Sequence, residues 1–546
     1  MTDSQQAVLF TNGRFFTSKT SGAEFHSCMV VKDGKIQYIG NPDSAEIQHY
    51  QSQNIQVQDL KNRYVLPGFI DGHCHFLLLG QSLKGLSLDG CQNLTDIRSR
   101  ISAFANANPD KPRLLCGGWM HSMTNGEAKA SMIDDLDPRP IYIYAKDLHS
   151  TWCNSAALQE MAVQEMEDPA GGTIERDADG NASGLLSEAC VLLIIWPYLA
   201  SVASLAEKTA ALRVAIDAYH SVGYTGCIDM AMDLPAWTAI LALREEMGGQ
   251  LPLRIAAHWI VMPGSSERER LLQVDKAIEM ATQYNKTTSP DLRIVGIKII
   301  CDGVIDACTA ALSEPYTTTP NTPSCGPIWT SAMLAPVVEK ACTANLQCAL
   351  HAIGDAAVDV AIDAISTYGK PGQRHRIEHL ELTSPTAASR LASLGITASI
   401  QPVHSDPAIL RAWPSLLGPA RLRRAFAYND FSAHGCSLAI GSDAPTAPHA
   451  PLPNLYVATT RRSAREADAD PALEPVNEEW KLGLVEAVSA ATRGSAYSCF
   501  AEERVGSLGV GMLADFVVVD MRFEAEALLG ARVRETWVGG RKVFEG

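Results

Sequence analysis

The sequence contains no CxxC pair, no GxSxG, no GxGxxG after its first strand-like run, and no apolar stretch of about 18 residues. The first absence excludes a zinc site built from paired cysteines. The second excludes the nucleophile elbow of a Ser/His/Asp hydrolase. The third argues against a dinucleotide-binding open sheet. The fourth excludes a membrane-spanning helix; the apolar run at 191–200 is too short. Basic charge is also scarce: 45 Lys and Arg face 61 Asp and Glu, a net charge of −16. A nucleic-acid partner calls for the opposite balance. The N-terminus has no basic segment leading into an apolar one, so a cytoplasmic protein is expected. The 14 cysteines are scattered singly through apolar patterns, as buried thiols in a reducing compartment would be. There is no internal repeat.

The two ends are alike. Residues 7–17 place an Asn-Gly turn between two apolar runs, and Asp33-Gly34 repeats the pattern. Near the C-terminus, ADFVVVD and ETWVGGRKVFEG read as further strands. A small composite β-sandwich is expected from 1–66 plus 500–546, with the main domain, 67–499, inserted between. That middle alternates continuous apolar strands with amphipathic helices. Its strands are expected at 65–76, 224–230, 253–261, 292–303, 346–354, 374–382, 395–402 and 436–445. Eight such units predict an α/β fold, a (β/α)8 TIM barrel of parallel strands. Residues 77–204 break the alternation. They read as a large insertion after the first barrel strand, folded over the strand ends as a lid or pocket wall.

Several of these strands end in a residue able to hold a metal. His73 and His75 are separated by one residue, and side chains at i and i+2 of a strand share a face. Lys298, His351, His379 and Asp443 fall near the ends of the fourth, fifth, sixth and eighth runs. Imidazole nitrogen and carboxylate oxygen are ligand types that Zn²⁺ takes. These residues stand in LPGFIDGHCHF (66–76), KIICDG (298–303), HAIGDAAVD (351–359), RIEHLEL (376–382) and GSDAP (441–445). With SIQPVH (399–404), VGSLGVGMLADFVVVD (505–520) and the inserted segments DLHSTWCNSAAL (147–158) and GGTIERDADGNASGLLSE (171–188), they form an ordered series. In that series the chain resembles the amidohydrolase superfamily, and within it the amidohydrolase-3 group that includes N-substituted formamide deformylases.

The resemblance implies a metal-dependent hydrolase cleaving a non-peptide C–N bond in a small amide or N-substituted formamide. His73, His75 and Asp443 would hold the more buried metal, and His351 and His379 a second. Lys298 would bridge them as an N-carboxylated lysine, since a carbamate offers anionic oxygens where an ammonium would repel a cation. A metal-activated hydroxide would attack the carbonyl, with Asp443 as general base and then acid. Zn²⁺ is the preferred ion, one or two per chain, although such ligands accept other divalent metals.

His149 and Asn154 are candidate substrate contacts, Trp119 a candidate pocket wall, and His404 a candidate donor to the developing oxyanion. Asp355, at a helix start, is expected to be structural. Ala356 departs from the resemblance, whose HAIGD segment is commonly followed by Arg. Two rival readings remain: a metal-dependent decarboxylase of a small aromatic acid, and a non-catalytic binding protein on the same scaffold. Beyond the small-molecule substrate, the partners envisaged are a second copy in a homodimer, with neither nucleic acid nor membrane.

Overall fold

The computed structural model describes residues 7–19, 22–53, 55–146, 148–169, 172–320, 325–468 and 474–546. Asp147 and Gly171, at the edges of two inserted segments quoted above, lie outside them. At the centre is an eight-stranded parallel sheet: β1 (Phe69–Cys74), β2 (Tyr224–Met232), β3 (Arg254–Ile260), β4 (Leu292–Ile300), β5 (Gln347–Ala352), β6 (Arg376–His379), β7 (Thr397–Ile400) and β8 (Leu438–Ile440). Each strand pairs with the next in sequence. Buried on both faces, they read as near-continuous apolar runs, as a sheet wrapped in helices must.

The ring closes where β8 returns to β1. Cys74 bridges Ala444 in parallel, Asp443 N–H donates to the His73 carbonyl at 2.7 Å, and His75 N–H donates to the Ala444 carbonyl at 2.9 Å. Glycines make this approach possible. A Cβ on Gly441 would lie 2.4 Å from the His73 nitrogen, and one on Gly72 would lie 2.6 Å from the Ile440 oxygen. The seam therefore holds the first and last metal-ligand candidates side by side.

The expected first strand, 65–76, is in fact two. Tyr64–Pro67 pairs antiparallel with Phe516–Asp520 in a separate six-stranded sheet, and Phe69–Cys74 joins the barrel. Gly68 lies at the changeover, its N–H donating to the Asp515 carbonyl at 3.0 Å. Uniform hydrophobicity hid the break, because both halves are buried in different cores. The six-stranded sheet also contains Arg14–Phe16 and Arg532–Val538, so both chain ends build it. A four-stranded sheet from residues 8–59 lies against it. Phe10, Phe15, Val65, Phe516 and Trp537 pack in the shared core.

The insertion forms a six-stranded mixed sheet with an apolar cluster of its own on each side. A cavity of about 550 Å³ separates this sheet from the loop after β8, and Trp196, Pro445 and Thr446 line it. No helix among the described residues is long and apolar enough to cross a membrane.

Candidate metal centre

Each ligand candidate sits at or just beyond the C-terminal end of its barrel strand, the face on which such barrels carry their chemistry. His73 is all but inaccessible, and its Nδ1 donates to Glu378 Oε2 at 2.8 Å. That leaves Nε2 with its lone pair turned inward, 3.2 Å from Asp443 Oδ1. His75 Nε2 lies 3.1 Å from the same oxygen. His379 stacks parallel to His404 with ring centroids 5.8 Å apart, and it lies 4.9 Å from His73 and 4.3 Å from His351. Two ligand triads can be drawn with donor atoms mutually within 4.8 Å: His73, His75 and Asp443, then His379, His404 and Asp443. His404 thus takes the third place in the second triad, and His351 borders it.

The decisive feature is what these atoms lack. Buried Nδ1 of His75, Nζ of Lys298, Nε2 of His351, Nδ1 of His379 and Oδ1 of Asp443 have no hydrogen-bond partner among the described residues. Each such atom ordinarily costs about 1–3 kcal/mol. They belong to residues of, or bordering, the two triads, and the nitrogen and oxygen donor set of those triads is one that zinc takes.

Burial drives the electrostatics. It pushes the His351 and His379 imidazoles well below their ordinary pKa, so both are neutral and able to ligate. Burial also opposes ionisation of Asp443, but the surrounding His73, His75 and His379 outweigh it and hold the carboxyl well below its usual range. The Lys298 amine is brought down to about 8 by burial, against the pull of Glu378 and Asp443. An amine so placed gives up its proton readily, as carbamate formation requires. Lys298 forms no ion pair with Asp302. That carboxylate accepts instead from the backbone N–H groups of Ala311, Ile353 and Gly354, and lies 3.5 Å from His351 Nε2.

Residues that the sequence reading passed over position the ligands. Glu378 is clamped by Arg376, itself wholly buried and bonded to the Gly72 carbonyl and to Ser399 and Ser498. This carboxylate–imidazole relay fixes the His73 tautomer. Asp71 joins β1 to the turn after β8, accepting from Ser442 N–H and Oγ and from the Tyr219 hydroxyl. The turn is strained: Asp443 has φ +57°, and His379 and Leu380 have φ +76° and +54°. Side chains bearing a Cβ adopt such values only where surrounding bonds enforce them. Alternation along the strands was the available signal: Asp71 lies two residues before the ligand candidate His73, and Arg376 two before Glu378, which adjoins His379.

The structure places the four proposed substrate contacts in two settings, two near the ligand triads and two inside the insertion. His404 is at the centre. Burial lowers its pKa, but the 3.0 Å bond to Glu381 prevails and raises it. His149 borders the site: its Nδ1 bonds Glu188 at 2.8 Å, and its charge acts on His351. Trp119 and Asn154 are corrections. Trp119 is fully buried in the insertion's core against Trp152 and His121, so it is no pocket wall. Asn154 caps the helix Ser155–Glu160: its Oδ1 accepts from Ile141 and Ala157, and its Nδ2 donates to the Arg139 carbonyl. Those bonds tie both ends of the amide into the cap, and the residue is buried there rather than in the cavity lining. Asp355 is structural as expected, taken up by Ser313 at the start of the helix Asp355–Tyr368.

A third cluster of ligand-type residues lies at the opposite end of the barrel. Cys342, Cys348 and His375 are all buried with their donor atoms within 4.8 Å. Here the imidazole is satisfied: Nδ1 accepts from Cys348 N–H at 3.0 Å, so Nε2 carries the proton, facing Gln373 Oε1 at 3.0 Å and Cys342 Sγ at 3.5 Å.

Residues 56–544 match the sequence profile of the Amidohydrolase family. The chain is 27% identical over 555 residues to the Protein LONG AFTER FAR-RED 3 of Arabidopsis thaliana, covering 98% of this chain and 91% of that one. It is 22% identical over 557 residues to the N-substituted formamide deformylase of Arthrobacter pascens, covering 94% and 93%. An uncharacterized metal-dependent hydrolase from Pyrococcus horikoshii OT3 shares the fold, with a TM-score of 0.78 at 24% identity, covering 95% and 98%. With the profile spanning barrel, insertion and nearly all of the C-terminal end, this chain belongs to the amidohydrolase family.

Proposed function

We propose that the chain is a metal-dependent hydrolase of a non-peptide C–N bond, an amide or N-substituted formamide. The observation that carries this reading is the set of unpartnered, buried donor atoms around Asp443. His73, His75 and Asp443 would hold one cation. His379 and His351 would hold a second, with a carboxylated Lys298 between them. Zn²⁺ suits this set, and when bound such ions polarise a carbonyl and acidify water.

The protein's own residues supply the rest. Asp443 is ionised and stands between two histidines and His404, whose Nε2 lies 3.6 Å from its second carboxylate oxygen. It would accept a proton from the attacking water and return it to the departing nitrogen, which leaves poorly unless protonated. Glu381 favours the protonated form of His404, so that imidazole would donate to the carbonyl oxygen as charge gathers there. Trp196, whose ring lies 6.3 Å from that of His75, would wall the reacting bond from solvent.

The test is amine release from a panel of formamides, amides and ureas, before and after chelation, with CO₂ measured in parallel. Amine release that chelation abolishes and zinc restores supports the reading. CO₂ without amine would replace it with the decarboxylase.

A further inference from the structure

The cavity between the insertion and the barrel is mostly apolar but carries a surplus of positive charge. Among its described lining residues are five Lys or Arg against two carboxylates, in a protein whose net charge is −16. One carboxylate, Asp89, is already bound by Lys146 at 2.5 Å. The other, Glu207, accepts from the Ser204 N–H and caps its own helix. That leaves two arginines, Arg113 and Arg465, whose guanidinium groups have no hydrogen bond or ion pair among the described residues. The Nε of each is buried.

Arg465 is the better placed. It lines the cavity, and its charge acts on His404 at the centre. Its backbone is fixed by the same segment that carries His404. Asp406, two residues after that histidine, accepts from the N–H of Ala464 and of Arg465, at 2.9 and 3.2 Å. Asp406 also accepts from Ala408 N–H, so its oxygens are taken up by backbone; its charge and that of Asp89 act on Arg465, but neither carboxylate bonds the guanidinium. A guanidinium whose buried Nε has no partner is costly, and its planar fork of donors fits a carboxylate or similar oxyanion.

We propose that Arg465 reads an anionic group on the substrate, an amide whose apolar body fills the cavity beside Trp196 and Leu199. The substrate class is then an N-acyl or N-formyl amine bearing a carboxylate or comparable oxyanion close to the scissile bond. This rests on the amide-hydrolase reading above, so the test has an arm that needs no turnover.

In the first arm, kcat/KM is measured for N-formylphenylalanine and for N-formylphenethylamine, which differ only in the carboxylate. The wild type should prefer the anion by roughly 10- to 100-fold, and Arg465→Met should collapse that ratio towards one. Arg465→Lys should retain part of it. In the second arm, binding of 3-phenylpropanoate and of 3-phenylpropanol to the zinc-loaded protein is measured by calorimetry. Loss of preference for the anion in Arg465→Met alone supports the assignment, even if neither formamide is cleaved. A wild type that binds both probes equally overturns it. So does a preference that survives in Arg465→Met and vanishes in Arg113→Met. Failure of turnover with the binding preference intact would sink the amide reading and leave this one standing.

Discussion

Two clusters of metal-ligand residues sit at opposite ends of one barrel, and they differ in what their atoms are already doing. At the C-terminal end, five donor atoms are buried without a hydrogen bond, on a backbone held at φ +57° and +76°. At the N-terminal end, Cys342, Cys348 and His375 are equally buried and equally close. Yet the two nitrogens of His375 both have partners there, and the Cys348 and His375 groups converge on the Cys342 sulfur to lower its pKa. Residue type and spacing therefore do not distinguish a metal centre from a packed core. Unsatisfied donors grouped around ligand triads do, because together they carry a cost that a bound cation would relieve.

The largest test sets Asp443→Asn against Cys342→Ser. On the proposed reading Asp443 is both ligand and proton carrier, so its amide should lower turnover by at least about 10³-fold. Metal content should fall with it. Cys342→Ser should keep full metal content and turnover. Metal loss in the cysteine variant would erase the distinction between the two ends.

The next concerns Glu378. Glu378→Gln keeps the shape but weakens the grip on His73 Nδ1–H and leaves Arg376 without its buried counter-charge. Metal affinity should fall by roughly 10- to 100-fold, read by competition with a chromogenic chelator. Unchanged affinity would show that the ligands alone determine the site.

Why some of this was legible in the sequence and some was not follows from the same contrast. Barrel strands end where the chain leaves the core, so His73, His75, His351 and His379 announced themselves at the ends of apolar runs. Glu378 and Arg376 lie inside such a run, where a charged residue reads as a strand edge; only their partners from β1 and β7 reveal them as interior. The split at Gly68 was hidden because two cores on either side of it are equally apolar. Trp119 and Asn154 failed for a related reason. A tryptophan and an amide in a polar-looking insertion resemble pocket residues, whereas the insertion has a core and a helix cap of its own to fill.

At the lower cluster, His375→Ala removes the acceptor of Cys348 N–H and the partner of Gln373. Stability should drop by about 1–3 kcal/mol, the cost of buried polar groups left unmade, with zinc content unaltered. Urea midpoints and metal analysis on the same preparation separate the two effects. Zinc loss paralleling the midpoint would make this end a ligand site after all.

One buried histidine falls between the two cases. His258, on β3, has its Nδ1 unpartnered and its Nε2 bonded to Gln347 Oε1 at 2.7 Å, and no ligand triad forms around it among the described residues. An orphaned nitrogen alone is then a cost rather than a site. Burial, with Arg376 nearby, pushes its pKa down to about 3, so the folded protein keeps it neutral while the unfolded chain protonates it near pH 6.5. Its contribution to stability is complete above about pH 6.5 and is lost as pH falls towards 3, with a slope of about 1.4 kcal/mol per pH unit. His258→Gln removes that titration. Compared with chelator present, so that metal loss adds nothing, the variant's urea midpoint should decline less steeply between pH 6.5 and 5 than that of the wild type. Equal slopes would mean that His258 is protonated in the folded barrel and has found a partner, which would place it with the satisfied cluster below and not with the unpartnered donors above.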